Sequence, residues 1–536
     1  MISNQVSECA KFTLGYIKDI YIKYFLPTFL TNKRGPAIAS AAAIVLLYMA
    51  YDKLFSPPRA IRHIPYIPYF SFLKSLLQST SIAEHNEAFV FPIINQKNTN
   101  GIFSHPGIFG WEVAVANPAA IKKIMLKIDA FPKADVIRTT EHTIISRFLR
   151  GPNLVFSNGS SWKTQRKIAN PAFHRSLPVK LFGDMAKKMF QVMDKQDSLV
   201  DITDLMERWT LDVIGEAGFG FRFNAVEDPT NNWVQLYKNI SNGVNDPFWF
   251  FFTNLETNFL WLFPKRQRTH RELDTFLEML DDVIVKKRAD IASNNKNPHL
   301  QENEKDLLTL LIEASKEGSG SLSDQELMSN LCAFFVAGHD TTANALSFTI
   351  YYLAKNPDIQ QKAREEAISI LGEDQDTIPT IEQTKEIDYI NMVIKETLRM
   401  NSPAVSAITR ISTEDTELDG VFIPKGALVV PDIYALHHNP TIWHNPEEFN
   451  PERFVPGGEA ERLSGAGMCW IPFGSGARQC IGMNFSLAEQ RVMLSLMLRK
   501  YTWSLPEDSI HKNMLQATKI GVMVAHDLNI VFKRRY

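Results

Sequence analysis

Phe473-Gly474-Ser475-Gly476-Ala477-Arg478-Gln479-Cys480-Ile481-Gly482 is the stretch on which the reading of this 536-residue chain turns. Its glycines do not make a dinucleotide-binding GxGxxG, because the residue three places after Gly476 is Gln479. Beyond Cys480 the pattern becomes helical, with Phe485, Ala488, Val492 and Leu496 three or four apart. Cys480 therefore stands at a helix N-terminus, where unpaired N–H groups and the dipole favour thiolate over thiol. Gly474 and Gly476 permit a tight loop that presents backbone amides to the sulfur. Gly482 leaves room for a flat ligand against the helix, and Arg478 is placed to pair an acidic ligand group.

Upstream, Ser323-Asp324-Gln325-Glu326 is a capping box and Pro357 marks the far limit of a helix over 323–356. At 1.5 Å per residue that helix is about 50 Å long. In its middle, Ala337-Gly338-His339-Asp340-Thr341-Thr342 interrupts an apolar face made by Leu327, Leu331, Phe334 and Phe335. A threonine hydroxyl here takes the carbonyl of Ala337, four residues back, and Gly338 allows close approach, so the helix can open locally around a ligand. Taken by itself, an ordinary helix-packing notch explains the same residues.

A thiolate in a glycine loop, with a separate helix carrying an acid and an alcohol, is what a haem with a Cys axial ligand requires. The sequence resembles the cytochrome P450 family. The loop pattern FxxGxRxC is met by Phe473, Gly476, Arg478 and Cys480, and AGxDTT by Ala337 to Thr342. ExxR is met by Glu396 and Arg399, and PERF by Pro451-Glu452-Arg453-Phe454, with the four motifs in the family's order across 56–536. The resemblance implies a mainly α fold with a smaller β region, and a haem b whose axial ligand is the Cys480 thiolate. It implies that Thr341 orders water and delivers protons to dioxygen while Asp340 links that relay to solvent. Ala337, Gly338, Phe473, Gly474 and Gly482 are then cofactor neighbours, and Trp162, Arg166, Arg410 and Arg478 resemble the family's propionate partners. Glu396 and Arg399 are implied to form a buried cluster with Arg453.

The implied reaction inserts one atom of dioxygen into a lipophilic substrate. Electrons come from NADPH through a separate reductase, because the chain shows no flavin or iron–sulfur motif. Lys163, Arg166, Lys167, Arg147 and Arg150 are candidates for a basic face toward an acidic partner. Two other classes share the haem motifs: a reductase-independent isomerase or dehydratase, against which the Asp340-Thr341 pair argues, and a non-catalytic haem or lipid binder.

Composition narrows the field in the same direction. The 57 basic and 59 acidic residues leave a formal charge of −2, without the basic excess that nucleic-acid partners require. The four cysteines, Cys9, Cys332, Cys469 and Cys480, do not make a disulfide framework, and all but Cys480 read as plain thiols. His437, His438 and His444 are separated by Pro440, with Pro446 close behind, which breaks helical metal-ligand spacing. No GxSxG elbow, Walker A loop or HExxH helix is present.

At the amino terminus, 37–51 is free of charge, and as a helix it reaches roughly 22 Å against a ~30 Å hydrocarbon layer. Residues 12–30 suit an interfacial amphipathic helix. The expected organisation is a membrane-associated segment over 1–55 with its anchor helix at 37–51, a Pro-rich linker over 56–68, and a haem-thiolate catalytic domain over 69–536. The endoplasmic reticulum, with the catalytic domain facing the cytosol, is the expected setting.

Phe248, Trp249, Phe250, Phe251, Phe252, Phe259, Trp261 and Phe263 form an aromatic stretch that reads either as an interfacial lid or as buried core. Periodicity predicts a helix over 270–291. The 106–115 and 410–436 regions look β-rich, with a Pro424-Lys425-Gly426 turn expected to join Val421–Ile423 to Ala427–Val430 as a hairpin. A second polar linker is expected over 294–305.

Overall fold

Apolar residues spaced by three and four through the middle of the chain become a helical body, and the short β-branched runs become small sheets. The structure, a computed structural model, describes residues 35–536 apart from 78–79, 97–98, 108, 136–139, 150, 176, 247, 250–251, 294–304, 317–321 and 519–520. The helices that place the site are α1 (Gly35–Phe55), α2 (Gly159–Arg175), α3 (Val179–Met193), α4 (Ile202–Val213), α5 (Asn232–Val244), α6 (Thr253–Phe259), α7 (Pro264–Ala292), α8 (Asp324–Lys355), α9 (Asp388–Met400) and α10 (Met483–Lys500). The helix expected over 270–291 is the greater part of α7.

Helix α8 starts where its sequence dictates. The Ser323 hydroxyl accepts from the Glu326 amide while the Glu326 carboxylate takes the Ser323 amide, and the helix runs 32 residues. Every residue from Ala343 to Ala354 is buried, as in a helix that passes through the centre of a body rather than along its surface. Its polar members there bond back along the helix, Ser347 Oγ to Ala343 O at 2.9 Å and Thr349 Oγ1 to Ala345 O at 2.8 Å, so neither hydroxyl is buried unpaired. Helix α4 is its main packing partner, and α9 and α10 also lie against it.

The strands are β1 (Ile102–Gly107), β2 (Gly110–Val115), β3 (Leu199–Asp201), β4 (Arg410–Ile411), β5 (Thr416–Leu418), β6 (Val421–Ile423), β7 (Leu428–Pro431), β8 (Tyr501–Ser504) and β9 (Asn529–Arg534). They form sheets ordered β1-β2-β7-β4, β3-β9-β8 and β5-β6. The expected hairpin between Val421–Ile423 and Ala427–Val430 is not there. Strand β6 pairs instead with β5, Leu418 opposite Val421, around Asp419 (φ 45°) and Gly420 (φ 83°). Two successive left-handed residues make the primed turn that matches strand twist, and Asp-Gly is its preferred sequence. The Pro-Lys-Gly segment hands the chain to another sheet, where β7 runs parallel to β2 with Val113 opposite Val429.

Residues 56–68, expected as a linker, lie against the β1 edge. Ile61, Ile64 and Ile67 are buried, Ile67 N donates to Ser104 O at 2.9 Å, and Ser104 N donates to Pro65 O at 2.8 Å. Helix α1 runs past the expected 37–51 as far as Phe55, where Asp52 pairs with Arg62 at 2.7 Å and the Phe55 ring packs 4.9 Å from that of Phe70. Its Ile44, Leu47, Tyr48 and Met49 side chains are exposed. Among the described residues no helix is long and apolar enough to cross a membrane. The expected interfacial helix at 12–30, Cys9, most of the 294–305 linker, Arg150, Phe250 and Phe251 lie outside the described residues.

Candidate functional site

The loop before Cys480 closes on itself. Cys480 N donates to Phe473 O at 2.9 Å, Gly474 N to Ile471 O at 2.9 Å, and Gln479 N to Gly476 O at 3.0 Å. Gly474 and Gly476 sit at φ 65° and 68°, where a side chain is strained, and a Cβ on Gly476 would lie 3.1 Å from Met125 O. The amides that favour the thiolate are those of Gly482 and Met483, at the start of α10, rather than those of Gly474 and Gly476 as the sequence suggested. Cys480 is accessible although it sits deep in the body, and that depth raises its thiol pKa, against the pull of those amides and of the Arg166 and Lys133 charges.

Those charges belong to a cluster of four cations. Arg166, on α2, is half-buried and donates to Gln479 O at 3.0 Å. Arg478 donates to Ser157 O at 2.6 Å and to Asn158 Oδ1 at 2.9 Å, and its guanidinium lies 4.0 Å over the Trp162 ring. Arg410 donates to Phe131 O at 2.8 Å. Lys133, which no sequence motif points to, donates to Val155 O at 2.6 Å. Asn158 joins two of the four, since its Oδ1 also accepts from Lys133 N at 3.1 Å and its Nδ2 donates to Lys133 O at 3.0 Å.

Burial and mutual repulsion lower these cations. Lys133 falls to about 7, burial first and then Arg478 and Arg410, while Arg410 and Arg478 each fall to about 10 through burial. Arg410 Nε and Arg478 Nε and Nη1 are buried without a hydrogen-bond partner among the described residues. Buried donors of this kind need an acceptor, and a flat ligand with two carboxylates and a thiolate-seeking iron matches the donor set. A Cβ on Gly482 would fall 4.0 Å from Cys480 Sγ and 3.9 Å from the Phe173 ring, so the bare backbone keeps that approach open.

Helix α8 reaches the same region, with the Phe173 ring 5.1 Å from that of Phe334 and Thr342 Oγ1 2.9 Å from Ser486 Oγ on α10. Thr341 Oγ1 donates to Ala337 O at 2.6 Å, as its spacing predicts, and Ala337 is exposed beside it. The helix nevertheless continues without a change of type. Gly338 faces Ile214, whose side chain would stand 3.2 Å from any Cβ added there, so the close approach it permits is that of the π-helical turn Ile214–Phe219. Asp340 is buried, accepts from Tyr237 OH at 3.1 Å and shares a hydrogen bond with His339 Nδ1. Neither partner follows from the motif.

The Glu396, Arg399 and Arg453 cluster is buried, with Arg453 Nε 3.3 Å from Glu396 Oε1. Arg399 Nη1 donates to His437 O at 2.8 Å, and His437 Nε2 accepts from Ile471 N at 3.0 Å, which couples this cluster to the approach to the Cys480 loop. Of the expected basic face, Lys163 and Lys167 are exposed. Arg166 is turned inward to Gln479, and Arg147 is bound to His270 and Asp274. The aromatic stretch is no buried core, since Phe248, Phe252, Phe259 and Trp261 are all exposed.

Comparison with known proteins agrees with this geometry. The family model for cytochrome P450 matches residues 68–531. A pig (Sus scrofa) taurochenodeoxycholic 6 alpha-hydroxylase is 32% identical over 408 residues, covering 73% of this chain and 76% of its own. Rat (Rattus norvegicus) cytochrome P450 4A10 is 31% identical over 397 residues, covering 72% and 75%. The crystal structure of the cytochrome P450DA haem domain superposes with a TM-score of 0.73 at 24% identity, over 88% of this chain and 98% of that one, which places the fold.

Proposed function

The chain belongs to the cytochrome P450 family, and from that membership we propose a membrane-held enzyme that hydroxylates or epoxidises a lipophilic substrate, with electrons from NADPH through a separate reductase. It is a haem-thiolate monooxygenase, and haem supplies the activation of dioxygen when bound. Residues 69–536 serve as the catalytic domain and 1–55 as the membrane-associated segment, at the endoplasmic reticulum with the catalytic domain toward the cytosol. The exposed apolar side chains of α1 support the membrane attachment, and a relative named taurochenodeoxycholic 6 alpha-hydroxylase supports a lipophilic substrate.

One observation carries the assignment of the site. Cys480 lies in the field of Arg166 and Lys133, with Arg410 and Arg478 close by holding buried, unpaired guanidinium nitrogens. In this reading Cys480 Sγ is the iron ligand, the four cations hold the cofactor's carboxylates, and Trp162 holds Arg478 level by stacking. Phe473 and Gly474 shape the loop, Gly482 keeps the thiol uncovered, and Ala337 forms the α8 wall. Thr341 Oγ1 keeps its lone pairs free for a water while its hydroxyl hydrogen points to Ala337 O, and Asp340 supplies the proton from behind.

Thr341→Ala tests the proton assignment. It should leave haem content unchanged, lower product formed per NADPH consumed in a reductase-reconstituted system, and raise hydrogen peroxide release, since a placed general acid is worth about 10²–10⁴ in rate. Wild-type coupling in the variant would remove Thr341 from the relay. Turnover without any reductase would favour the isomerase class.

A further inference from the structure

His339 sits inside the body with both ring nitrogens engaged. Nε2 lies 2.8 Å from the backbone carbonyl oxygen of Glu207 on α4, which accepts only, so Nε2 carries a hydrogen. Nδ1 faces Asp340 Oδ1, which already accepts the Tyr237 hydroxyl from α5. One more hydrogen must therefore lie between Nδ1 and Oδ1, on the imidazole as a cation beside a carboxylate, or on the carboxyl beside a neutral imidazole. The arrangement holds a proton that an ordinary neutral histidine and an ordinary carboxylate together would not.

We propose that His339 and Asp340 share one transferable proton in the wall of α8, with His339 as the positioning residue that stores it for Asp340. This rests on the monooxygenase reading above and extends it to residues outside the acid–alcohol pair. When the proton leaves through Asp340 toward Thr341, the hydrogen between Nδ1 and Oδ1 is the one lost. His339 remains neutral with its hydrogen on Nε2, and Asp340 remains a carboxylate. One proton from bulk then restores the pair.

The charged surroundings suit both halves of that cycle. Asp340 and Tyr237 face His339 directly. Glu207 adds a nearby negative charge, and Asp204, Arg208 and Lys238 lie at the outer edge, where Arg208 pairs with Asp204 at 2.9 Å and Lys238 with Asp204 at 3.3 Å. Burial alone would discharge His339, but the Asp340 and Glu207 charges reverse this and raise it above its ordinary value. Burial raises Glu207 to about 7, eased by His339, so its carboxyl exchanges protons in the physiological range. The Tyr237 ring packs 4.9 Å edge-on to the His339 ring and holds the imidazole in place.

His339→Gln keeps polar atoms toward both neighbours but cannot hold the proton. In the full-length haem-loaded enzyme it should keep the thiolate-type spectrum of the reduced, CO-bound state while product per NADPH drops by about tenfold, less than the ~10²–10⁴ of a general acid in direct contact. The pH profile of coupling should flatten, and the solvent deuterium effect should grow.

A second readout needs no turnover. Because His339 is raised in the folded state, its contribution to stability is full at low pH and fades as pH rises through its folded value. The melting temperature of wild-type ferric enzyme should therefore fall relative to His339→Gln across that range. Wild-type coupling, isotope effect and melting slope in His339→Gln would overturn the proposal, and if Thr341→Ala is uncoupled in the same assay the monooxygenase reading stands without it. If Thr341→Ala is silent too, proton delivery through α8 fails as a whole. Should His339→Gln lose haem, His339→Asn is read in the same assays, and wild-type coupling and melting slope in that variant overturn the proposal.

Discussion

Arg399 holds Glu396 through two hydrogen bonds, Nε to Oε2 at 2.8 Å and Nη2 to Oε1 at 2.9 Å, with neither side chain exposed to solvent. The same carboxylate also accepts from Asn450 N at 3.0 Å. It thus ties α9 to the segment that carries Arg453. Removing it leaves the buried Arg399 guanidinium without its counter-charge and Arg453 with Glu459 alone, a loss on the order of 3–5 kcal/mol.

Glu396→Ala should therefore fail in folding and haem retention before it fails in chemistry. Haem content per protein and thermal unfolding are the measurements. Full haem content and wild-type melting with lost turnover would show that the cluster is not structural.

Asp194, at the end of α3, ties the carboxy-terminal strands down. It accepts from Lys500 Nζ at 2.7 Å, from Tyr501 OH at 2.6 Å and from Arg534 Nε at 2.6 Å. Burial opposes its ionisation, but these three partners outweigh it and hold the carboxyl below its ordinary value. Its stabilisation is present above the ordinary carboxylate pKa and is lost as pH falls through the lowered one. Asp194→Asn should cost about 1–2 kcal/mol at neutral pH, with the gap to wild type closing only below about pH 4. A gap that stays constant down to about pH 2 would contradict the ion-pair account.

Phe248, Phe252, Phe259 and Trp261 are exposed around α6, Trp261 by 70%, and the Arg266 guanidinium lies 4.8 Å over the Trp249 ring at the start of α7. Deleting residues 1–55 should reduce binding to phosphatidylcholine vesicles without abolishing it, because each aromatic that enters the interface is worth about 1.5–3 kcal/mol. Adding Phe259→Ser and Trp261→Ser should remove the remainder in a sedimentation assay. Identical residual binding with and without those two substitutions would assign the exposed rings another role.

The parts that sequence reveals are those whose signal is local. The α8 boundaries follow from Ser323, Glu326 and Pro357, and the Thr341 bond to Ala337 from a spacing of four. The hairpin is misplaced although its signal is equally local, because Asp419-Gly420 is a stronger turn than Pro424-Lys425-Gly426 once both φ values must be positive. Lys133 and Asn158 are invisible for a different reason. Neither sits in a motif, and their chemistry arises only when the 131–133 and 155–158 loops meet Arg478. The His339 neighbours are likewise 132 and 103 positions away from the residues they join on α8. Gly338 misleads because a notch in a helix does not say what fills it, and here Ile214 does.

The central claim is that Cys480 is the thiolate ligand of the haem, and replacing it with histidine tests that directly. In the full-length Cys480→His protein, the Soret band of the reduced, CO-bound state should leave its thiolate position for that of an imidazole-ligated haem, with monooxygenase turnover lost, because a neutral ligand does not supply the same electron push. A thiolate-type band that survives the substitution would mean that another sulfur holds the iron, and the site described around Cys480 would be wrong.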